Sequence, residues 1–279
     1  MIRNGELIDF QTVETAAKGG LRHSLGRGQN FIVEFIEAEA DSSAWTIESA
    51  YEAMVLLPDV GAHLTGATET VSVKARSLVI LPAGKVSVQL AGAGTCCVLT
   101  SNAGEPVSGK VENAATYAAR DERVAPFGTP YRRLSDPQSI RVLEIDAIDA
   151  PQDNPRLKMF QSATLSINWV EYAGPRDRKA LSPHAHKSFE QGSLALAGEF
   201  RHHLRVEWGK NAEVWQEDRH VVAPSPSLLV IPPQIIHTTE GVNDERHLLI
   251  DIFSPPRADF IAKNWVANSA EYEAPPAQP

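Results

Sequence analysis

The sequence predicts an all-β protein built as two antiparallel β units in tandem. Three observations lead there. Apolar and polar residues alternate with a period of two through most of the chain, helical periodicity is scarce, and the second half repeats the texture of the first. Successive residues of a strand point to opposite faces, so this alternation describes strands with one face in a core. At 279 residues the chain is long enough for two domains of about 100–200 residues each. Its 43% hydrophobic and 22% charged residues are those of a folded globular protein.

The elements follow in order. FIVEFIEA (31–38), TVSVKARSLVILP (70–82) and KVSVQLAGAGTCCVL (85–99) alternate and are punctuated by Gly and Pro. The stretch 101–156 is richer in Pro, Asp, Asn and Gly and reads as a connection between the halves. After residue 160 the alternation returns in TLSINWVEYAG, SLALAGEFRHHLRVEWG, SPSLLVIPP and HLLIDIFSPP. SLVILP (77–82) lies 150 positions before SLLVIP (227–232), and both runs end a strand at a proline. Matching Gly61 to Gly198 gives an offset of 137, and the polar EWGKNAEVWQEDRH accounts for the difference as an insertion. The expected division is a first barrel within 1–105, a connector at 106–149 and a second barrel at 150–260. A short helix near 257–265 and a mobile tail to residue 279 complete it, since AEYEAPPAQP has almost nothing to bury.

Composition excludes several classes of function. Acidic residues outnumber basic ones, 35 to 26, for a net charge of −9, and no Lys/Arg run can track a phosphate backbone. Nucleic acid is therefore not an expected partner. The opening MIRNGELIDFQTVE has no apolar signal core behind a basic head, and no apolar stretch approaches the roughly 20 residues a bilayer needs. A soluble, cytoplasmic protein with no membrane partner is expected. Cys96 and Cys97 would face opposite sides of a strand, where a disulfide between them has poor geometry, in keeping with a reducing compartment.

Chemistry concentrates in the second half. His184 and His186 are two apart, so on a strand both imidazoles enter one cavity. Gln191, on the next strand after a short turn, can supply a carbonyl oxygen, and a hairpin further on can bring in His237. Three imidazoles and one oxygen suit one divalent transition metal (Fe, Ni, Mn, Zn, Co or Cu) and suit Ca or Mg poorly. Glu190 is the rival oxygen donor, but its strand parity is opposite to that of Gln191, which is preferred. Arg201 and His203 share one parity, and His202 and Leu204 share the other. Parity alone leaves open which pair looks inward; Arg201 and His203 are the candidates for binding a substrate carboxylate. Trp169, Trp208 and Trp215 read as core or interface filler.

These residues resemble the cupin superfamily. The pattern H-x-H-x4-Gln-x6-Gly is met by His184, His186, Gln191 and Gly198, with Gln where most cupins have Glu. The second pattern, P-x-G-x2-H, is met by Pro232 and His237, with Gln234 in place of its glycine and Pro226 where an upstream motif glycine stands. The first half keeps the frame without the ligands. Ile47, Ser49 and Met54 fall at the first-motif positions, and Pro82-Ala83-Gly84 leads to Ser87 where the histidine belongs. The resemblance implies two tandem jelly-roll cupin barrels, the first degenerate and the second holding one metal through His184, His186, Gln191 and His237. Cupins commonly pair barrels by sheet packing, which implies a homodimer, or a pseudo-dimer of the two halves in one chain.

A narrower resemblance lies in Asp251-Ile-Phe253-Ser-Pro-Pro-Arg257, which is spaced as in the small KdgF-type cupins. Those enzymes bind a divalent metal and convert unsaturated uronates into linear keto sugars. The resemblance implies that Asp251 moves a proton, that Arg257 pairs with a substrate carboxylate, and that Phe253 lines the substrate site. Asp251 can equally cap the loop before Pro255, and Arg257 can pair with it or with Asp259. The expected function is that of a metal-dependent cupin enzyme acting on a small oxygen-rich, carboxylated metabolite by Lewis-acid isomerase or lyase chemistry. The alternatives are a non-haem Fe(II) dioxygenase and a non-catalytic ligand-binding cupin. Neutral Gln191 removes a negative charge from the ligand set, which favours Lewis acidity over oxidation.

Overall fold

The computed structural model describes residues 3–104, 107 and 109–275. Strands form where the sequence alternates. In the first half they are β1 (Glu6–Asp9), β2 (Leu21–Arg27), β3 (Phe31–Ala38), β4 (Trp45–Ser49), β5 (Ala53–Leu57), β6 (Ala62–Thr65), β7 (Thr70–Val73), β8 (Ser77–Leu81), β9 (Gly84–Leu90) and β10 (Gly94–Ser101). The connecting segment adds β11 (Arg132–Arg133) and β12 (Arg141–Glu144). The second half carries β13 (Met159–Gln161), β14 (Ser166–Ala173), β15 (Gln191–Ala197), β16 (Phe200–Val206), β17 (Arg219–Ala223), β18 (Ser227–Ile231), β19 (Ile235–Gly241) and β20 (Arg246–Phe253). Helix α1 (Ala258–Ile261), where a short helix was expected, and β21 (Tyr272–Glu273) follow.

Sheet order makes the internal repeat explicit. One six-stranded sheet runs β12-β8-β5-β10-β3-β2 and the other runs β1-β18-β15-β20-β14-β13. Each is closed into a barrel by a smaller sheet, β4-β9-β6-β7 in the first half and β17-β16-β19 in the second. The pairings are antiparallel throughout these sheets.

One of the two outermost strands of each large sheet comes from an unexpected place. β1, from the segment read as first barrel, pairs with β18 in the second, with Ile8 opposite Leu228. β12, from the segment read as connector, pairs with β8 in the first, with Val142 opposite Val79. Each added strand covers a sheet edge that would otherwise present bare N–H and C=O groups. Four-residue strands are too short to show a period, which is why alternation did not reveal them.

The two large sheets pack face to face. Met54 and Leu56 of β5 join Leu78, Ile80, Trp169, Leu228 and Ile250 in one core between the barrels, while Val55 and Leu57 fill the first barrel. Likewise Cys97 lies between the barrels and Cys96 inside the first, on opposite faces of β10 and both unpaired. This packing is the pseudo-dimer within one chain.

Of the tryptophans, Trp169 is in the core, and Trp208 and Trp215, on the 207–218 insertion, lie outside it, stacked on each other and 64% and 43% exposed. The tail is anchored further than its composition implies. β21 pairs with β11, and the buried Tyr272 places its hydroxyl 2.9 Å from the Glu52 carboxylate. Residues 276–279 of the expected mobile tail lie outside the described residues. Among the described residues no helix is long and apolar enough to cross a membrane.

Candidate metal centre

Backbone pairing brings the histidines together. His184 and His186 do not lie on a continuous strand as expected; an isolated antiparallel bridge ties their extended segment to β19. In it, His184 N–H donates to the His237 carbonyl at 3.0 Å, and His237 N–H returns a bond to the His184 carbonyl at 2.8 Å. Next to the bridge, Gln234 N–H donates to the His186 carbonyl at 2.7 Å. Gln234 has φ 68°, and Gly84 at the matching turn of the first barrel has φ 108°. The turn thus keeps the left-handed conformation for which the cupin pattern uses glycine, with glutamine bearing the strain.

Nitrogen lone pairs are directed by these surroundings. Nδ1–H of His184 donates to the Ser182 carbonyl at 2.9 Å, and Nδ1–H of His237 donates to the Ile235 carbonyl at 2.8 Å. A carbonyl only accepts, so each ring carries its proton on Nδ1 and leaves Nε2 as the ligating atom. Gln191 Oε1 lies 2.8 Å from Nε2 of His186 and 3.2 Å from Nε2 of His237. One ligand atom from each of His184, His186 and His237 lies within 4.8 Å of the others, the only such group of three or more His, Cys, Asp or Glu among the described residues. Burial holds His186 down to about 3 and His237 down to about 4, so both rings are neutral at pH 7, the form that binds a metal. Two oriented imidazoles, a third beside them and a converging amide oxygen fit a single transition-metal ion.

Gln191 and Glu190 separate as their parity predicts. The Gln191 amide donates to Asp251 Oδ1 at 2.9 Å and to Ser193 Oγ at 3.0 Å, which turns its carbonyl oxygen toward the histidines. Glu190 points the other way, into a buried cluster with Arg3 Nη2 at 3.2 Å, Tyr117 OH at 3.0 Å and Gln29 N–H. The rival oxygen donor therefore anchors the loop to the first barrel.

Asp251 and Phe253 are at the site. Asp251 also accepts from Ser193 Oγ at 3.2 Å and from Asn168, and burial pushes its carboxyl up to about 6 despite those bonds. His186 stacks on Phe189 and meets Phe253 edge-on at 5.4 Å between ring centroids. Arg257 lines the same cavity, of about 690 Å³, but is already paired. Its Nε and Nη2 bind the two Asp259 oxygens at 2.8 and 2.7 Å, and its guanidinium lies 3.9 Å from the Phe260 ring centroid and 4.9 Å from that of Phe253.

Arg201 and His203 are not brought to the cavity. They face away on β16, toward the Glu240 carboxylate, at 3.8 Å from Arg201 Nη1 and 3.0 Å from His203 Nε2. The inward parity belongs to His202 and Leu204, and His202 is fully buried with Nδ1 2.8 Å from Thr239 Oγ1. Two polar residues on a strand, each with a carboxylate to pair, settle outward, and the sequence did not show where Glu240 would lie.

The first barrel is vestigial by one position less than the matched glycines imply. Ser87 lies opposite Thr46 as His237 lies opposite His184, and Leu81 lies opposite Ala53 as Ile231 lies opposite Gln191. The counterparts of the ligands are thus Thr46, Glu48, Ala53 and Ser87 rather than Ile47, Ser49, Met54 and Ser87, and Glu48 is exposed beside Lys85.

Sequence reasoning missed several cavity residues. Asn168 lines the cavity beside Asp251, and Ser193, which does not line it, supports Asp251 from the other side, in one row across β14, β20 and β15. A signal existed, since Ser166 and Asn168 interrupt the apolar run of the strand's first five residues at alternate positions. Tyr172, Thr239, Arg156 and Arg176 also line the cavity. The two arginines lie outside the strands and had no pattern to reveal them.

No protein-family model matches the sequence, and no curated protein matches it. Solved structures match its fold. One is a structure of oxalate decarboxylase, 13% identical with a TM-score of 0.61, over 90% of this chain and 77% of that one. A deletion mutant of Bacillus subtilis oxalate decarboxylase is 11% identical with a TM-score of 0.60, over 89% and 76% of the two chains. AerE from Microcystis aeruginosa is 9% identical with a TM-score of 0.57, over 90% and 96%. At such identities the likeness speaks for architecture. Joined to the repeated sheet order and the sheet-to-sheet core, it establishes that the chain has the cupin fold, as two tandem antiparallel jelly-roll barrels.

Proposed function

We propose that this chain is a metal-dependent enzyme whose second barrel holds one divalent transition metal through His184, His186, His237 and Gln191. The observation that carries the reading is Gln191 Oε1 turned by Asp251 toward Nε2 of His186 and His237, at the bottom of an open cavity. A metal bound there supplies Lewis acidity to a hydroxyl or carbonyl oxygen of the substrate.

The chain's own residues hold and move the proton. Asp251 adjoins the ligand set, and a carboxyl held near 6 both gives and takes a proton around neutral pH. Phe189 and Phe253 wall His186 and keep water from that side. Arg257 stands close enough to act on both His186 and Asp251, and it reaches a substrate carboxylate only by exchanging Asp259 for it. The reaction we assign is an isomerase or lyase step on a small oxygen-rich, carboxylated substrate, the class the KdgF-type resemblance implies. The structurally similar oxalate decarboxylase, named for a small carboxylate, supports that class.

The test is metal analysis of the purified protein, then incubation of each metal-loaded form with small hydroxy and keto acids, unsaturated uronates included, in deuterated water. Metal-dependent deuterium incorporation or conversion seen by NMR, without oxygen uptake, is the expected result. Retained metal with oxygen uptake replaces this reading with a dioxygenase. Protein that retains no metal replaces it with a ligand-binding cupin.

A further inference from the structure

The cavity carries more positive charge than the metal site needs. Arg156, Arg176, Arg257 and Lys263 line it, against the carboxylates of Asp251 and Asp259, in a chain whose net charge is −9. Arg257 is neutralised by Asp259. Arg156, Arg176 and Lys263 have no ion-pair partner among the described residues, and Lys263 Nζ instead lies 4.4 Å over the Trp265 ring. Arg176 is half-buried, with one guanidinium nitrogen donating to the Ala180 carbonyl at 3.1 Å, while Asp177 Oδ1 accepts from the Lys179 N–H.

Two like charges facing one cavity, neither in an ion pair, are costly, and an anion placed between them removes that cost. Burial first, and then the neighbouring Arg156, pull Arg176 below its ordinary value, so its cation is held against both. Along β14, Asn168 lies opposite Asp251 beside the ligand set, and Tyr172, which also lines the cavity, lies four residues further on, about 13 Å along the strand. Tyr172 feels both Arg156 and Arg176. The cavity therefore has two regions: one at Asp251 and the histidines, and a cationic one beside Tyr172. A volume of about 690 Å³ also exceeds what a two-carbon acid fills.

Resting on the metal-site reading above, we infer that Arg156 and Arg176 form a receptor for an anionic oxygen group of the substrate, carboxylate or phosphate, remote from the oxygens that the metal centre holds. The substrate class is then a two-ended acid of about sugar size, with hydroxyl or carbonyl oxygens at one end and the anion at the other. Arg156 and Arg176 are specificity-determining residues, and Arg257, closed by Asp259, is not the primary anion site.

Calorimetry with D-glucuronate, D-glucose and D-glucose 6-phosphate tests this on wild type, R156A, R176A, the double variant and R178A, each with and without bound metal. Glucuronate and glucose differ in one carboxylate. The expected result is an anion preference over glucose of roughly tenfold or more in wild type, the size of a charge-assisted bond. It should fall to near unity in the double variant, with metal stoichiometry and glucose binding unchanged. R178A, whose side chain pairs with Glu240 outside the cavity, should match wild type. The stronger of the two anions names the group as carboxylate or phosphate. Equal binding of anions and glucose, including no measurable binding of any of them, overturns the inference, as does an anion preference that survives in the double variant. A wild type that retains no metal but keeps an arginine-dependent anion preference overturns the metal reading and leaves this receptor standing.

Discussion

Gln191 donates its amide N–H to the Asp251 carboxylate at 2.9 Å, and that bond settles which end of the amide the histidines meet. A glutamine is symmetric enough to point either end inward. A carboxylate accepts only, so the nitrogen is held on the Asp251 side and the oxygen faces His186 and His237.

This relationship makes the metal test sharp. Replacing His186 or His237 by Ala should remove most bound metal, because two imidazoles and an amide cannot complete the site. Gln191→Glu should retain metal, and Asp251→Ala should weaken it about tenfold or more by releasing the amide. Ser87→Ala and Glu48→Ala in the first barrel should change nothing. Metal content after dialysis, by mass spectrometry, decides; equal content in wild type and His237→Ala sinks the site.

Gln234 offers a test of the turn. Its left-handed backbone is strained for a side chain and natural for glycine, and its N–H bond to His186 survives substitution. Gln234→Gly should stabilise the protein by about 0.5–1 kcal/mol, after the extra flexibility of glycine in the unfolded chain is set against the relief. Chemical denaturation reads this directly, and a loss of stability of similar size refutes it.

His202 should report on acid stability. Burial lowers its folded value to about 3, below the ordinary 6.5 of the unfolded chain. The unfolded state then binds the proton first, so the stability that His202 contributes is complete above 6.5 and is lost as pH falls toward 3. His186 and His237 act in the same direction in metal-free protein. His202→Phe should flatten the decline between those limits by up to about 1.4 kcal/mol per pH unit, the slope of one proton. An unchanged slope in denaturation at stepped pH counts against a neutral buried His202.

Tyr272→Phe isolates one bond of the tail. The hydroxyl lies on Glu52, itself buried beside Arg133 at 3.4 Å, so its loss leaves a buried acceptor short of a donor. The expected cost is about 1–3 kcal/mol by denaturation. A neutral effect would show the tail to be loosely held, as its composition implied.

The fold and the convergence of the three histidines were legible because both rest on local patterns. Alternation is written within each strand, and His184, His186, Gln191 and Gly198 lie within a single short stretch of chain. Arg156 and Arg176 were not legible, since the strands they flank bring them to one cavity and loops carry no period. The one-position error between the halves has a physical cause. Gly61 is needed because a Cβ would lie 2.5 Å from the Val73 carbonyl oxygen, whereas Gly198 is needed for its φ of 81° and its packing on His247. Two glycines serving different needs were matched as if they served one. The bidentate Asp259 bond to Arg257, in turn, was among the alternatives open in the sequence, and only packing on three phenylalanine rings shows how firmly it is held.

The exchanged edge strands impose an order of assembly. β1 leaves the ribosome about two hundred residues before its partner β18, so it must wait, unpaired, through synthesis of the entire first barrel. β12 must likewise appear before the first barrel's own edge is covered. Neither barrel is complete when its own strands are complete, and the half with the three histidines closes last, on a strand made before the first barrel. A shortened chain beginning after Asp9 would therefore be expected to fail at the opposite end of the molecule, by leaving the Ser227–Ile231 edge open to other chains.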